Sequence, residues 1–295
     1  MKVATAAYPL DWLDSWSQYE DKLAHWVADA AKRGAELLVF PEYGAMELAT
    51  LDGPETAGDL EKSLWAVADR LEEADALHVK LAAEHNVHIL AASAPARFEA
   101  DPGGRPVNRA RLITPKGGIG IQDKQIMTRF EREDWDVIGG GPLRVFETTI
   151  GRIGVLICYD SEFPLFARAL KDIDLLLVPS CTEALAGYSR VRIGSMARAL
   201  EQQCVSVMSS LVGKAEWNEA VEINTGRGGV FGPPDRGFPM TGVLAEGVMD
   251  QPGWTLAEVD LSAIAEVRAD GVVLNRRHWD EQSGRDGAPE VMPLS

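Results

Sequence analysis

The apolar positions of this chain change period in a regular order. Residues 2–8 form a short β-like run. Over residues 15–33 the large apolar side chains Trp16, Tyr19, Leu23, Trp26, Val27 and Ala30 fall at helical spacing, and Gly34 stops the pattern. Residues 36–40 (ELLVF) are continuously apolar apart from the first, as a buried parallel strand requires, and end at Pro41-Glu42. One long helix is expected over residues 59–85, leading into a strand over 87–92. The second half repeats the order: a strand over 152–158, a helix over 164–171, a strand over 174–178 (DLLLV) ending at Pro179-Ser180, a helix over 191–203 and a strand over 204–210.

ELLVFPE and DLLLVPS match within that shared order, which suggests two β-α-β-α-β halves related by a pseudo-repeat. Such alternation predicts an α/β fold with mostly parallel sheets and helices packed outside. Between the halves, residues 107–121 contain PKGG and read as a β-hairpin. Gly139-Gly140-Gly141-Pro142 is a loop without the spacing or the Lys-Ser/Thr of a phosphate cradle. Residues 226–253, rich in Gly and Pro, are expected to be a long surface loop system. No low-complexity linker interrupts the chain, so residues 1–275 read as one domain. Residues 276–295 form a polar tail, either an oligomer contact or loose.

Composition narrows the partners. The chain has 295 residues, 46% hydrophobic and 25% charged, enough for a sizeable core. Lys and Arg number 29 against 45 Asp and Glu, a formal charge of −16, which opposes binding to nucleic acid. The first residues, MKVATAAYPLDWLD, carry Asp11 and Asp14 inside the apolar run and do not read as a signal peptide. No stretch approaches the roughly 18 apolar residues of a membrane span. The three cysteines, 158, 181 and 204, make neither a disulfide framework nor a zinc site by their spacing. A reduced, cytoplasmic protein is the expectation.

The chemistry gathers at strand ends. GVLICYDSEFP places Cys158 at the end of an apolar strand, Glu42 leaves the end of ELLVFPE, and Lys124 follows the hairpin in GIQDKQIMTRFERE. Sites in open parallel sheets lie outside the carboxyl ends of the strands, so these three can meet in one crevice. There the carboxylate would accept the thiol proton and the ammonium would favour the thiolate. Singly, each has an ordinary alternative: a core thiol, a solvated lysine, a paired carboxylate. A histidine base is not in view. His25, His78 and His85 lie on expected helices, His278 in the tail, and His88 at the beginning of a strand.

LLVFPEYGA, QDKQIMTRFERE and GVLICYDSEFP, in that order, resemble the nitrilase superfamily of carbon–nitrogen hydrolases. The resemblance spans residue 2 to about residue 260. It implies a four-layer αββα sandwich and a Glu-Lys-Cys triad, here Glu42, Lys124 and Cys158, that hydrolyses non-peptide C–N bonds. It also implies an oxyanion held by Lys124 and the backbone N–H of Tyr159, no metal or cofactor, and a homodimer or larger homo-oligomer. Glu131 matches a second glutamate near such sites, although its charge-rich surroundings also fit a solvated face. Tyr43, Cys181, Thr182 and Glu183 are candidates for the pocket wall. Nitrile-hydrolysing members carry Cys-Trp-Glu at the nucleophile; Cys158-Tyr159-Asp160 here points instead to a small-molecule amide substrate. N-carbamoyl amino acid hydrolysis, nitrile hydrolysis, acyl transfer and a non-catalytic binding role are the alternatives. Arg190 or Arg192 would hold a substrate carboxylate if there is one. Arg198 and Glu201 are expected to form a structural ion pair, and Cys204 to lie in the core.

Overall fold

The structure, a computed structural model, describes residues 1–101, 103–285 and 287–294. Its first half runs β1 (Lys2–Pro9), α1 (Trp16–Lys32), β2 (Leu37–Val39), a 3₁₀ segment (Gly44–Asp52), α2 (Pro54–Ala57), α3 (Leu60–Asp69), α4 (Leu71–His85) and β3 (His88–Ala96). A hairpin follows, β4 (Val107–Ile113) and β5 (Ile119–Asp123), then α5 (Arg129–Glu133) and β6 (Val145–Thr148). The second half runs β7 (Gly151–Val155), α6 (Pro164–Ala169), β8 (Leu175–Ser180), α7 (Leu185–Gln202) and β9 (Val205–Lys214). The chain ends with β10 (Ile223–Asn224), β11 (Gly229–Phe231), β12 (Val243–Glu246), β13 (Gly253–Glu258), α8 (Leu261–Asp270) and α9 (Asn275–His278). No described helix is long and apolar enough to cross a membrane.

The two halves build the same unit. β1, β2 and β3 are consecutive parallel neighbours, as are β7, β8 and β9. The hairpin β4–β5 extends the first sheet and β6 the second, in both cases antiparallel. The sheets are joined where the carboxyl end of β1 meets that of β9, Ala7 opposite Ser210 and Pro9 opposite Val212, again in parallel. The carboxyl ends of both parallel triplets therefore face the same rim.

Period-two alternation sorts the side chains into layers. In the first sheet Val3, Leu37, Val39, Leu90 and Leu112 join a core shared with Ile153, Val155, Leu177 and Val207 of the second. Their neighbours Ala4, Leu38, Ile89 and Ile113 face the opposite way, onto Leu23 and Val27 of α1, Leu64 and Val67 of α3 and Leu81 of α4. Helices thus cover the outside of paired sheets, an αββα sandwich. On α1 the buried stripe is Tyr19, Leu23, Val27 and Ala30, and Gly34 (φ +85°) ends it in a conformation that suits glycine.

Several boundaries differ from the expectation. The helix over 59–85 is two helices, broken at Arg70; α3 packs on the 3₁₀ segment and β3, α4 on β3 and α1, so one straight axis cannot serve both. The strand expected to reach Cys158 ends at Val155, and α7 begins six residues before the expected start. Residues 226–253 are not simply loops: β11 pairs with β9 and β12, strands too short to display a period among their glycines and prolines. The tail beyond 275 begins packed. Arg168 holds Asp280 at 3.1 Å and stacks on Trp279. Residues 286 and 295 of that tail lie outside the described residues.

Candidate active site

Glu42 follows β2 by three residues, Lys124 follows β5 directly, Cys158 follows β7 by three residues and Cys181 follows β8 directly. Because β5 runs antiparallel to β4, which is antiparallel to β3, its end reaches the same rim as the parallel strands. All four residues line one cavity of ≈ 630 Å³.

At its floor the Lys124 ammonium donates to Glu42 Oε1 at 2.7 Å and to Glu131 Oε2 at 2.6 Å, with all three side chains buried. A cation in this position is matched by two carboxylates, so the trio is short of one positive charge. Burial raises the pKa of Glu42 and the charge of Glu131 adds to this, while Lys124 opposes both. Glu131 settles the other way. Burial works against its ionised form, but Lys124, the Thr128 N–H and the Tyr43 hydroxyl outweigh it and hold the pKa low. Burial likewise disfavours the Lys124 ammonium, and the two carboxylates overcome it and hold its pKa well above the usual range. The two carboxyls thus shift in opposite directions, Glu131 below its ordinary value and Glu42 above.

Glu42 is fixed from several sides. Its Oε2 accepts the Cys181 N–H at 2.9 Å, and its Oε1 accepts Asn108 Nδ2 at 3.0 Å. Ser93 donates to Asn108 Oδ1 at 2.6 Å and itself accepts the Tyr43 N–H at 3.0 Å. Tyr43 donates its hydroxyl to Glu131 Oε1 at 2.7 Å. Ser93 and Asn108 were not among the expected residues. Ser93 carries a signal, a polar side chain in the middle of an apolar strand that must find a partner when buried; Asn108, second in a strand with two arginines, carries none. Glu131 closes a capping box with Thr128, which the Thr-x-x-Glu spacing announces; the solvated-face alternative does not hold, because Glu131 is buried.

Cys158 sits in a 3₁₀ turn (Cys158–Glu162) with φ +49°, a left-handed conformation costly for any residue with a Cβ. The turn is braced from behind. Ser161 donates to Cys158 O at 2.7 Å, Arg198 donates to Ser161 O at 3.1 Å, and a Cβ at Gly194 would meet that same oxygen at 2.8 Å. Asp160 ties the turn to Lys124's segment by accepting the N–H groups of Gln125 and Ile126 at 3.1 and 2.9 Å. Burial pushes the Asp160 carboxyl up to about 7. The Cys158 thiol donates to Cys181 O at 3.7 Å. Burial and then the charge of Glu42 raise its pKa, and Lys124 lowers it too little to compensate. The ammonium does favour the thiolate as expected, but burial and the charge of Glu42 outweigh it and leave the thiol pKa raised.

Tyr43, Tyr159, Cys181, Thr182 and Glu183 line the cavity, with Thr182 Oγ1 bonded to Thr225 O at 2.8 Å and the Tyr159 ring edge-on to Phe163. Arg190 reaches the rim, where it pairs with Glu162 at 3.5 Å. Arg192 does not line the cavity. It is held on Glu246 at 2.6 Å, beside Arg227. Arg198 and Glu201 pair at 2.9 Å and Cys204 is fully buried. Among the described residues no group of three or more His, Cys, Asp or Glu is placed to hold a metal ion. His88 lies on the far side from the cavity, at the start of β3, and His78 is buried on α4.

Residues 2–269 match the family model for carbon-nitrogen hydrolases. The chain is 30% identical over 275 residues to the probable hydrolase YhcX of Bacillus subtilis, covering 92% of this chain and 52% of that protein. It is 24% identical to the omega-amidase NIT2 of Xenopus tropicalis, over 86% of this chain and 87% of the other. The chain spans about half the length of several of the curated relatives it matches, YhcX among them. The crystal structure of a carbon-nitrogen hydrolase from Helicobacter pylori superposes with a TM-score of 0.73 at 18% identity, over 97% of this chain and 95% of that one, which shows the shared fold. With its motifs on one rim and its sequence matched almost end to end, the chain belongs to the carbon–nitrogen hydrolase family.

Proposed function

We propose that this protein hydrolyses the C–N bond of a small non-peptide amide through a thioester on Cys158. One observation carries the reading: Glu42 is bound between the Lys124 ammonium and the N–H of Cys181, the residue whose carbonyl oxygen accepts the Cys158 thiol. A carboxylate with a raised pKa beside a protonated thiol is a general base awaiting its substrate.

In this reading Glu42 takes the thiol proton as the sulfur attacks the carbonyl carbon. Lys124 and the Tyr159 N–H stabilise the oxyanion, donors often worth about 10²–10³ in rate each. The C–N bond breaks as Glu42 returns the proton to nitrogen, and ammonia or an amine leaves. Glu42 then deprotonates water, which opens the thioester to a carboxylic acid and restores the thiol. Glu131 keeps Lys124 charged and aimed. Amidases and nitrilases both stand among the relatives, so the choice of an amide over a nitrile rests on Tyr159-Asp160 after the nucleophile, where nitrile-hydrolysing members carry Trp-Glu. Incubation with a panel of primary amides, carbamoyl compounds and nitriles, with ammonia measured, tests the class. Release from amides and not from nitriles is expected; release from nitriles alone would overturn it.

We also propose that residues 1–275 act as one domain in the cytosol and that the tail over 276–295 meets a second copy. Sedimentation velocity of the full chain and of one ending at residue 275 tests this: loss of association on truncation is expected, and a full chain that is already monomeric, or a truncated one that associates as well as the full chain, contradicts it.

A further inference from the structure

The cavity has a floor that is chemically committed and a mouth that is not. Six carboxylates and three cations line it. Each cation has a partner: Lys124 is buried between Glu42 and Glu131, while the exposed Arg129 and Arg190 reach Glu133 at 2.7 Å and Glu162 at 3.5 Å, so negative charge exceeds positive around the lining. Glu183, between β8 and α7, and Glu219 and Glu222, before β10, are exposed and have no ion-pair partner among the described residues. Two aromatic side chains on the same cavity, Phe130 and Tyr159, remain partly open to it. Unmatched carboxylates around a mouth focus the potential over it, and aromatic faces attract cations and not anions. Both features select the same charge.

We propose that the amide taken by this site carries a cationic group, a protonated amine or guanidinium several bonds from the scissile carbonyl, and that Glu183, Glu219 and Glu222 choose it over anionic amides. The inference rests on the amidase reading and refines it. Carbamoyl amino acids and the monoamides of dicarboxylic acids bring a carboxylate to this mouth, where it meets three unmatched carboxylates and would have to draw Arg129 from Glu133 or Arg190 from Glu162; Arg192 lies elsewhere, bound to Glu246.

Three amides of one length test it: 5-aminopentanamide, pentanamide and 5-amino-5-oxopentanoate. Ammonia release gives kcat/KM with the wild type and with the E183Q/E219Q/E222Q variant, and calorimetry with the C158A chain gives binding. The cationic amide is expected to exceed the anionic one by more than about tenfold at low salt. The ratio should shrink in 1 M salt, where the screening length is about 3 Å, and fall several-fold in the triple variant. The ratio is read within each protein, so a change in the folded fraction cancels. An anionic amide bound and turned over as well as the cationic one, or a ratio untouched by the triple substitution, would overturn the charge inference while leaving hydrolysis intact. Binding to C158A ordered by charge with no ammonia from any wild-type reaction would sink the amidase reading and leave the charge preference standing.

Discussion

Glu42 and Lys124 meet at 2.7 Å, and the ammonium is shared with a second carboxylate. This single ion pair decides which group in the site can move a proton. Burial raises the pKa of Glu42 and the charge of Glu131 adds to it, while the ammonium they share opposes both. Replacing Glu42 by Gln then separates its roles as base and as charge. Ammonia release should fall by about 10²–10⁴, the usual worth of a general base. The thiol, relieved of the negative charge beside it, should titrate lower, so the pH midpoint for alkylation of Cys158 by iodoacetamide should move down. Intact-mass measurement of alkylation against pH checks it; an upward shift contradicts this electrostatic account.

Two neighbours of Glu42 should move its titration in opposite directions. The Asn108 N–H favours the ionised carboxylate, so Asn108→Ala raises the pKa of Glu42 further. Glu131 disfavours it, so Glu131→Gln lowers that pKa. The acidic limb of kcat/KM, which belongs to the coupled cluster as a whole, should shift up in the first variant and down in the second. A hydrogen bond to a charged group is worth roughly 1.5–3 kcal/mol, so a shift of about one to two pH units is expected. Shifts of the same sign in both variants contradict the assignment of Glu42 as the base.

Asp160 gives a stability test. Its carboxyl is pushed up to about 7 by burial, from a usual 3.8. Between those values the unfolded chain is ionised while the folded one keeps the proton, so this group's contribution to stability declines as pH rises from 4 to 7. Asp160→Asn removes that dependence. The variant should gain on the wild type with rising pH, by up to roughly 4 kcal/mol between pH 4 and pH 8, in urea unfolding at both. A relative loss that grows with pH contradicts the buried-acid description.

The fold was legible where elements are long or continuously apolar. The two β-α-β-α-β halves follow from the periods of α1 and of ELLVF and DLLLV, and the convergence of Glu42, Lys124 and Cys158 follows from strand ends facing one rim. What could not be read depends on packing partners far away in sequence. The break at Arg70 answers to two different contact surfaces, and the strands within 226–253 exist because β9 offers an edge. At the site, the residue types were legible and the charge balance was not. That burial and Glu42 outweigh the pull of Lys124 on the thiol depends on packing, and the burial of Glu131 is revealed only by the folded capping turn. Ser93 carried a readable signal, a polar group inside an apolar strand, but its partner could not be named; Asn108, beside two arginines in its strand, carried none.

The most direct test is the covalent state of one sulfur during turnover. The protein should be mixed with an amide it consumes, quenched in acid within the first turnovers and digested, and the mass of the peptide bearing Cys158 measured. The account predicts an increment equal to the acyl group on that peptide, absent from the C158A variant, which also releases no ammonia. Sustained ammonia release by C158A, or an acyl group found on Cys181 in its place, would contradict it.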